Sequence, residues 1–482
     1  MKWNLQNTYS QLPPRLFTQM NPISVKSPKL LLHNKSLAKS LGLEMNPLDE
    51  EKLSQFFSGN VLPNGSKPLA QAYAGHQFGN FTMLGDGRAI LLGEQLTEGQ
   101  NLFDIQLKGS GRTPYSRGGD GRATLKSMLR EYLISESMHY LGIPSTRSLA
   151  VVSTGETVQR EWDNEGAILT RVAKSHIRVG TFEFAHQYLS LEEQKEFTAY
   201  VIKRHYPEIQ DSNELALDLL KRVMDMQADL IADWMRVGFI HGVMNTDNMS
   251  ISGETIDYGP CAFMNIYEPK TVFSSIDTMG RYSFGNQPKI AHWNLSRLAI
   301  SLIPQIDENQ EIAIKKAQET LDEFPSIYQQ KWNQAIRNKL GLVGEEPNDI
   351  ALIEDLLNLM HQYKADYTNT FLDIQSGDFS ENPLFQSDSF QDWYVNWIRR
   401  ATRNGQSLEE VQALMSQYNP QYIPRNHKVE EALFQATENN DYGIFNELLH
   451  IMETPYQAKE NTTAYQFPPI EGDDGYQTFC GT

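Results

Sequence analysis

A strand, a glycine-rich loop and a helix follow one another early in the chain, and this order constrains the fold more than any other feature. Phe103–Lys108 alternates apolar and polar side chains, which predicts a half-buried strand with Lys108 on the face away from the core. The loop Gly109–Gly121 holds five glycines, and the helix expected over Arg122–Leu141 carries Glu131. Protein kinases hold nucleotide phosphates with such a strand lysine and helix glutamate. On its own, the pair also fits a solvated surface.

A second segment has the spacing of a kinase catalytic loop followed by a metal-binding motif. His241–Asn248 ends nine positions before Asp257, with which the run Asp-Tyr-Gly begins. Protein kinases place H-R-D-x-x-x-x-N before D-F-G in the same way. Asn248 and Asp257 therefore supply oxygen ligands of the kind that a hard divalent cation prefers. A loop rich in Asx turns is the structural alternative, which the two matching spacings disfavour.

One residue departs from the kinase pattern. Val243 stands where a protein kinase has its catalytic aspartate, so a hydroxyl substrate would lack the usual proton acceptor. Asp247, which precedes Asn248, is a neighbouring carboxylate that is able to act as the base instead. The sequence therefore argues against ordinary γ-phosphoryl transfer.

Positive charge gathers around the lysine strand, although the whole chain has a formal net charge of −18. Residues 104–130 carry six basic and two acidic side chains, and Arg171 and Arg178 follow seven positions apart. Guanidinium groups bind phosphate bidentately, so their convergence predicts an anion site, whereas any single one also fits a solvated basic face. Glycines whose amides can approach phosphate closely stand at Gly85, Gly87 and Gly121.

Charge, cysteine content and hydropathy exclude several classes of protein. The acidic balance makes polymeric nucleic acid and anionic membrane surfaces unexpected partners. Cys261 and Cys480 are the two cysteines, too few for a disulfide scaffold or a cysteine-rich zinc module. The chain contains neither a run of ~18 apolar residues nor a signal-like start, so we expect a cytoplasmic protein without a membrane span. Zinc-hydrolase and serine-hydrolase motifs are also missing from the sequence.

The chain divides into a strand-rich first part and a helical second part. We expect an N-terminal segment over 1–70, a strand-rich nucleotide-binding lobe over 71–185, a helical lobe over 186–300 and an acidic helical extension with a tail over 301–482. The last part carries 12 basic and 29 acidic side chains. The pattern also predicts a hairpin across Gly85–Gly87, a helix over Leu215–Met235 and a strand pair over Met249–Asp257. This order predicts an α+β protein with two lobes and a cleft between them.

Several long sequence segments of the chain resemble those of a known family and occur in the same order. They are Gln71–Gly79, Leu84–Arg88, Gln106–Arg117, His241–Asn248 and Asp257–Pro260. The chain is similar to the SelO/YdiU family, selenoprotein O and its bacterial relatives, over nearly its whole length. The resemblance implies a bilobal protein-kinase-like fold and transfer of AMP from ATP to Ser, Thr or Tyr hydroxyls of proteins. Some bacterial members are described as using UTP with manganese.

The resemblance also implies a role for each candidate residue. Asp247 would be the catalytic base, Asn248 and Asp257 would hold Mg²⁺ or Mn²⁺, and Lys108 would contact phosphate and pair with Glu131. The nucleotide would be bound by Gly85, Gly87, Arg88, Lys108, Asp120, Gly121, Arg171, Arg178 and Asp257. Protein substrates are the implied partners, and we expect a monomer. An inactive nucleotide-binding pseudokinase scaffold and a small-molecule kinase stay open as alternatives.

The same resemblance gives the two cysteines a place. Cys261 follows the Asp-Tyr-Gly run by two residues, and Cys480 is third from the end, where eukaryotic relatives carry selenocysteine. The hypothesis is a Cys261–Cys480 disulfide that folds the tail over the mouth of the active site. Two unrelated thiols are the alternative.

Overall fold

The computed structural model describes residues 3–43, 49–379, 382–469, 472–473 and 475–479. In these residues most strands precede residue 174 and most helices follow it, in agreement with the α+β prediction. The strands are β1 (Leu5–Gln6), β2 (Phe17–Gln19), β3 (Lys29–His33), β4 (Leu69–Gln71), β5 (Ala74–Gln77), β6 (Asn80–Met83), β7 (Ala89–Leu96), β8 (Leu102–Lys108), β9 (Ala123–Thr124), β10 (Arg147–Gln159), β11 (Asp163–Ala173), β12 (Phe239–Ile240) and β13 (Ala262–Phe263).

Helices fill the second part as expected. They are α1 (Lys35–Ser40), α2 (Glu50–Phe57), α3 (Leu125–Tyr140), α4 (Val179–Tyr188), α5 (Leu191–His205), α6 (Leu215–Arg236), α7 (Gln287–Ile306), α8 (Gln310–Leu321), α9 (Phe324–Lys339), α10 (Asp349–Gln362), α11 (Tyr367–Ser376), α12 (Asp388–Ala401), α13 (Leu408–Met415), α14 (Asn426–Glu438), α15 (Gly443–Met452) and α16 (Thr463–Gln466). The helix predicted over Leu215–Met235 is confirmed as α6. The C-terminal tail, given no helix by the prolines in the sequence, contains the short α16. Among the described residues, no helix is both long and apolar enough to cross a membrane.

The strands of the first part form a large antiparallel sheet in the order β2-β4-β7-β8-β11-β10-β3, with β1 added to β7 and β9 added to β11. The lysine strand β8 lies between β7 and β11, where Lys108 is opposite Ala89 and Leu169. This central position fixes the lysine between two long neighbouring strands.

Both faces of β8 are covered, so the predicted half-buried strand is wrong in that respect. Ile105 and Leu107 pack into an apolar cluster with Phe57 of α2. On the other face Asp104 is fully buried, because its carboxylate accepts hydrogen bonds from the His176 backbone N–H and Arg204. The alternation of polar and apolar residues identified the two faces of β8 correctly. On the polar face, however, buried polar groups of the protein bind these side chains where solvent was expected.

The hairpin predicted across Gly85–Gly87 is not formed. β6 pairs with β5, whereas β7 pairs with β1, β4 and β8. The turn enters the interior because the buried Asp86 carboxylate accepts hydrogen bonds from the Gln71 N–H and from Nε2 of Gln106, each at 3.1 Å. A buried carboxylate with such partners is costly to expose, so it ties the turn to the sheet.

The strand pair predicted over Met249–Asp257 is also wrong. Ser250 forms an isolated bridge with Arg178, and Thr255 forms one with Ser145. The segment thus pairs with the surrounding chain and not with itself. Its anchor on α6 is Gln227, whose Nε2 donates to the carbonyl of Ser250 at 2.7 Å.

Candidate active site

Lys108 ends β8 with its ammonium group between two carboxylates. Its Nζ lies 2.6 Å from Oε2 of Glu131 on α3 and 2.6 Å from Oδ1 of Asp257. The structure therefore brings together the expected lysine–glutamate pair and the expected metal-binding aspartate. Helix α3 begins one turn later than predicted, after Thr124, whose Oγ1 accepts a hydrogen bond from the Ser127 N–H.

Arg171 on β11 closes this cluster from the neighbouring strand. Its Nε lies 3.2 Å from Oε1 of Glu131, and its Nη2 lies 3.1 Å from Oδ1 of Asp257. Burial alone would raise the pKa of Asp257, but Lys108 and Arg171 outweigh it and hold that pKa well below its usual range. Two basic side chains thus share two carboxyl groups. Asp257 itself has a φ of 65°, a left-handed conformation that aspartate tolerates better than most residues.

Arg178 lies beside this cluster, at the start of α4. Its guanidinium carbon is 4.1 Å from the centre of the Tyr73 ring, and its Nη2 is 3.9 Å from Oδ1 of Asp86. Burial raises the pKa of Asp86 to about 6, although Arg178 opposes the rise. Arg178 is 2% exposed, so a buried cation is already positioned to meet an anionic group.

Asp247 is the ionisable group best suited to accept a proton. It lies in the short 3-10 helix Thr246–Asn248, and its Oδ1 is buried without a hydrogen-bond partner among the described residues. Burial raises the pKa of Asp247 to about 7; Arg178 opposes this rise, and the charges of Asp257 and Glu183 add to it. A carboxylate with a pKa near the working pH is suited to general base catalysis.

Asn248 and Asp257 fit a divalent cation in chemistry. Nδ2 of Asn248 donates to the carbonyl of Val243 at 2.9 Å, which leaves the side-chain carbonyl oxygen to serve as a ligand. The low pKa of Asp257 keeps its carboxylate ionised, and this side chain is 26% exposed. Within the described ranges no group of three or more His, Cys, Asp or Glu side chains is placed to hold a metal. Substrate oxygens would therefore have to complete the coordination shell.

The glycines of the candidate site pack against the glycine-rich loop. A Cβ on Gly85 would lie 2.5 Å from the Tyr115 ring, and one on Gly87 would lie 2.8 Å from the Tyr115 carbonyl oxygen. Gly121 accepts a hydrogen bond from the Gly111 N–H at 3.0 Å, and a Cβ there would overlap the Gly111 carbonyl. The Arg88 carbonyl accepts from the Gly109 N–H at 2.7 Å. Gly85, Gly87 and Gly121 therefore need to be glycine, because a side chain at any of them would collide with the glycine-rich loop.

Asp120 is the candidate that the structure does not bring to the cluster. Its carboxylate forms a bidentate pair with Arg160, with distances of 2.9 and 3.1 Å, and accepts the Arg122 N–H. The Asp120 side chain is 45% exposed, and the hydrogen bond with Arg160 lowers its pKa. In this conformation Asp120 anchors the end of the glycine-rich loop.

Sequence reasoning missed a polar group beneath Asp247. Glu183 of α4 accepts a hydrogen bond from Oγ1 of Thr246 at 2.6 Å and also contacts Nδ1 of His76. The His76 N–H in turn donates to Oγ1 of Thr246 at 2.7 Å. An acidic residue within the largely apolar segment Val179–Ala185 was the available signal, since such a residue needs a buried partner.

Two carboxylates and three cations, gathered beside a base of raised pKa, define an enzyme site for a polyanionic substrate. A family model described as "Protein adenylyltransferase SelO" matches residues 1–453. The chain belongs to this family, which confirms the resemblance found in the sequence. Because the family is defined by nucleotidyl transfer, the chain is an enzyme, and the inactive pseudokinase alternative is not supported.

Relatives of known name agree with this assignment. "Protein nucleotidyltransferase YdiU" of Brevibacillus brevis is 56% identical over 480 residues, which cover 100% of this chain and 98% of the relative. Proteins of the same name from Anoxybacillus flavithermus and Pelagibacter ubique are 55% and 53% identical, and each match covers 100% of this chain and 99% of the relative.

Proposed function

We propose that this enzyme transfers AMP from ATP to Ser, Thr or Tyr hydroxyl groups of proteins and, with UTP, transfers UMP. The observation that carries this proposal is the pair of positions 243 and 247. Val243 occupies the place of the kinase base, whereas Asp247 has a buried carboxylate oxygen, a pKa raised to about 7 and Arg178 close by. The proposed base lies at a different position from the kinase base. This difference matches a reaction at the α-phosphorus of the nucleotide, whereas a kinase reacts at the γ-phosphorus.

The proposal includes a bilobal, protein-kinase-like arrangement. The segments would be 1–70 packed on the lobes, 71–185 as the strand-rich lobe, 186–300 as the helical lobe and 301–482 as the acidic extension. The central place of Lys108 in the large sheet and its bonds to α3 and to Asp257 support this division. The site would then lie where the strand-rich and helical segments meet.

The reaction would be a substitution at the α-phosphorus of the nucleotide. The acceptor hydroxyl oxygen forms a bond to phosphorus, the bond from phosphorus to pyrophosphate breaks, and the hydroxyl proton passes to the carboxylate of Asp247. Lys108, Arg171 and Arg178 stabilise the charge of the departing pyrophosphate, which exceeds that of a single phosphoryl group. Glu131 holds Lys108 and Arg171 in place for this role.

Asn248 and Asp257 would hold Mg²⁺ or Mn²⁺. When bound, such a cation supplies Lewis-acid stabilisation of phosphate oxygens. Gly85, Gly87, Arg88, Asp120 and Gly121 would complete the nucleotide site, as the family resemblance implies. For Asp120 this requires release from Arg160, with which it is paired here. We expect a monomer that acts in the cytoplasm on protein substrates.

Position-specific labels test the reaction. The enzyme is incubated with casein as the acceptor protein and with ATP labelled at the α- or the γ-phosphate, each with Mg²⁺ or Mn²⁺; α-labelled UTP is run in parallel. We expect α-label to enter protein and γ-label to leave as pyrophosphate. Transfer of the γ-label alone would contradict the proposal and favour a kinase. Comparing the amount of label transferred with each nucleotide and each metal identifies the preferred nucleotide and the preferred metal.

The proposed Cys261–Cys480 disulfide has partial structural support. Cys261 is buried, which raises the pKa of its thiol to about 11, and Cys480 lies outside the described residues. The tail nevertheless docks beside the Asp257 loop, because Oγ1 of Thr478 donates to the carbonyl of Pro260 at 2.6 Å. If the disulfide regulates the enzyme, a Cys480→Ser variant loses its response to oxidant. An unchanged oxidant response would contradict this hypothesis.

A further inference from the structure

The β5–β6 hairpin, which packs on Asp247 at Gly75, forms part of a surface that carries exposed apolar side chains. We call it the hairpin surface and define it by the hairpin, the loop 276–282 and the half-buried Trp293 and Arg297 of α7. Its exposed apolar side chains are Phe81, Met83, Ile276 and Met279, with exposed fractions of 46%, 38%, 47% and 90%. Exposed apolar side chains gathered beside a catalytic site are typical of surfaces that bind a partner.

Two arginines enclose the indole of Trp293 on this surface. The guanidinium carbons of Arg281 and Arg297 lie 4.8 and 4.9 Å from the ring centre. Neither arginine forms an ion pair with a carboxylate in the part of the chain that the structure describes. A Cβ on Gly79, at the tip of the hairpin, would lie 3.8 Å from the Arg281 guanidinium carbon. Two arginines without an ion-paired carboxylate thus flank an aromatic ring, within a chain of net charge −18.

Hydrogen bonds connect this surface to the proposed base. The Phe78 N–H and the Tyr282 hydroxyl both donate to Oδ1 of Asn245, at 3.1 and 2.6 Å. The His76 N–H donates to Oγ1 of Thr246, which directly precedes Asp247. Strand β5 therefore leads from the base towards the arginines. The four steps from Gly75 to Gly79 span at most roughly 13 Å at ~3.3 Å per residue, because the chain turns at Phe78 and Gly79 after the strand ends at Gln77.

We propose that the hairpin surface binds the acceptor protein and that it selects an acidic segment about four residues from the modified hydroxyl. This inference rests on the proposed function, because it assumes that the hydroxyl reacts beside Asp247. An extended polypeptide covers the same ~13 Å with about four residues. Carboxylates at that distance would meet Arg281 and Arg297, since guanidinium groups bind carboxylates bidentately. The apolar side chains would contact the rest of the segment.

The edge of the hairpin supports an extended conformation of the bound segment. Strand β6 pairs with β5, and no second partner strand is recorded for it within the described ranges. Its other edge therefore offers backbone groups for the addition of a strand. This is a common way to bind a peptide whose sequence varies while a few side chains are recognised.

Paired peptides test the charge preference. One serine peptide carries glutamates three to five residues away on either side of the acceptor, and its partner carries lysines there. Each is labelled with a fluorophore, and binding is measured by anisotropy without nucleotide. We expect at least tenfold tighter binding of the glutamate peptide and a preference that weakens with salt. Equal binding of the two peptides would overturn the proposal.

Charge reversal distinguishes a role of the two arginines in recognising the peptide from a role in supporting the Trp293 side chain. In the double variant Arg281→Glu/Arg297→Glu we expect the preference to switch to the lysine peptide, whereas loss of support alone would weaken both peptides equally and contradict the proposal. Lys203→Glu/Lys315→Glu, at exposed positions of α5 and α8, is the control that changes the overall charge by the same amount. If the α-label reaches no peptide although the glutamate peptide still binds, the proposed function fails and the recognition surface stands.

Discussion

A Cβ atom on Gly75 would overlap Oδ1 of Asp247, so strand β5 packs on the proposed base with no room for a side chain. A Gly75→Ala substitution must push the carboxylate aside. We expect a loss of transfer activity of ~10²-fold, because displacements of about 1 Å have that effect on catalysis. Nucleotide affinity, measured by calorimetry, should stay close to that of the wild type.

Gly443→Ala is the matched control for this substitution. Gly443 begins α15, far along the acidic extension, and a Cβ there would meet the end of the Asp441 side chain at 3.1 Å. Oδ1 of Asp441 also accepts the Gly443 N–H at 2.8 Å, and this side chain needs to shift by only a few tenths of an ångström, so activity should not fall and Tm should change little. If Gly75→Ala were as active as this control, the close packing of β5 on Asp247 would have no catalytic role.

The pH dependence of transfer should report the raised pKa of Asp247. The carboxyl group accepts a proton only when it is ionised, so activity rises with pH through about 7 and is lost below it. Asp247→Asn should remove this limb of the profile and lower kcat by ~10²–10⁴-fold. A pH–rate profile of kcat/KM from pH 5 to 9 measures both effects. An Asn variant with wild-type activity would exclude Asp247 as the base.

The same raised pKa makes a prediction about stability. Because the folded protein favours the protonated form of Asp247, the folded state loses stability as pH rises from the unfolded-state pKa of 3.8 to about 7. Asparagine carries no charge at any pH, so Asp247→Asn should raise the Tm at pH 8 and change it little at pH 4. Thermal unfolding at the two pH values provides the test. An equal shift at both would point to packing instead of ionisation.

Glu183 should tune the base through its charge. Glu183 accepts a hydrogen bond from Thr246 and raises the pKa of the neighbouring Asp247. Glutamine keeps an acceptor oxygen for Thr246 but removes the charge. In a Glu183→Gln variant the acid limb of the activity profile should therefore move to lower pH, while maximal kcat stays similar. A conservative Thr246→Ser change, which keeps the hydroxyl, should leave the limb in place.

The candidate site was predictable where chemistry depends on local spacing. The strand carrying Lys108, the helix carrying Glu131 and the Asn248–Asp257 spacing all follow from the residue pattern. The fold brings Lys108, Glu131 and Asp257 together. The turn at Asp86 was not predictable. Its conformation depends on Gln106, twenty residues further along the chain, and a local turn signal contains no information about such a partner.

Burial of polar groups accounts for the other errors. Asp104 alternates as a surface residue would, yet it is fully buried because Arg204, a hundred positions later, pairs with it. The pairing of Asp120 with Arg160, forty residues later, was likewise not predictable from the sequence, and the proposed place of Asp120 in the nucleotide site stays a prediction. In each case a long-range charged partner decides the environment, and single-sequence patterns do not encode that pairing.

Arg130 connects the loop that carries Asp257 to the acidic extension. It directly precedes Glu131 on α3. Its guanidinium donates to the carbonyls of Gly259 and Cys261 at 3.1 and 2.6 Å and to Glu430 of α14 at 2.8 Å. An Arg130→Ala variant would leave both carbonyls without this donor. We expect a loss of roughly 1–3 kcal/mol in the free energy of unfolding.

Arg130→Lys tests whether the fork of the guanidinium is essential. Lysine keeps the charge but is unable to reach two carbonyls and Glu430 in one plane, so stability should lie between the wild type and the alanine variant. Urea unfolding measures the stability, and the metal concentration for half-maximal transfer reports the position of Asp257. We expect that concentration to rise in both variants, because Gly259 and Asp257 belong to one loop. If a variant were destabilised but its metal dependence were unchanged, Arg130 would stabilise the acidic extension without positioning Asp257.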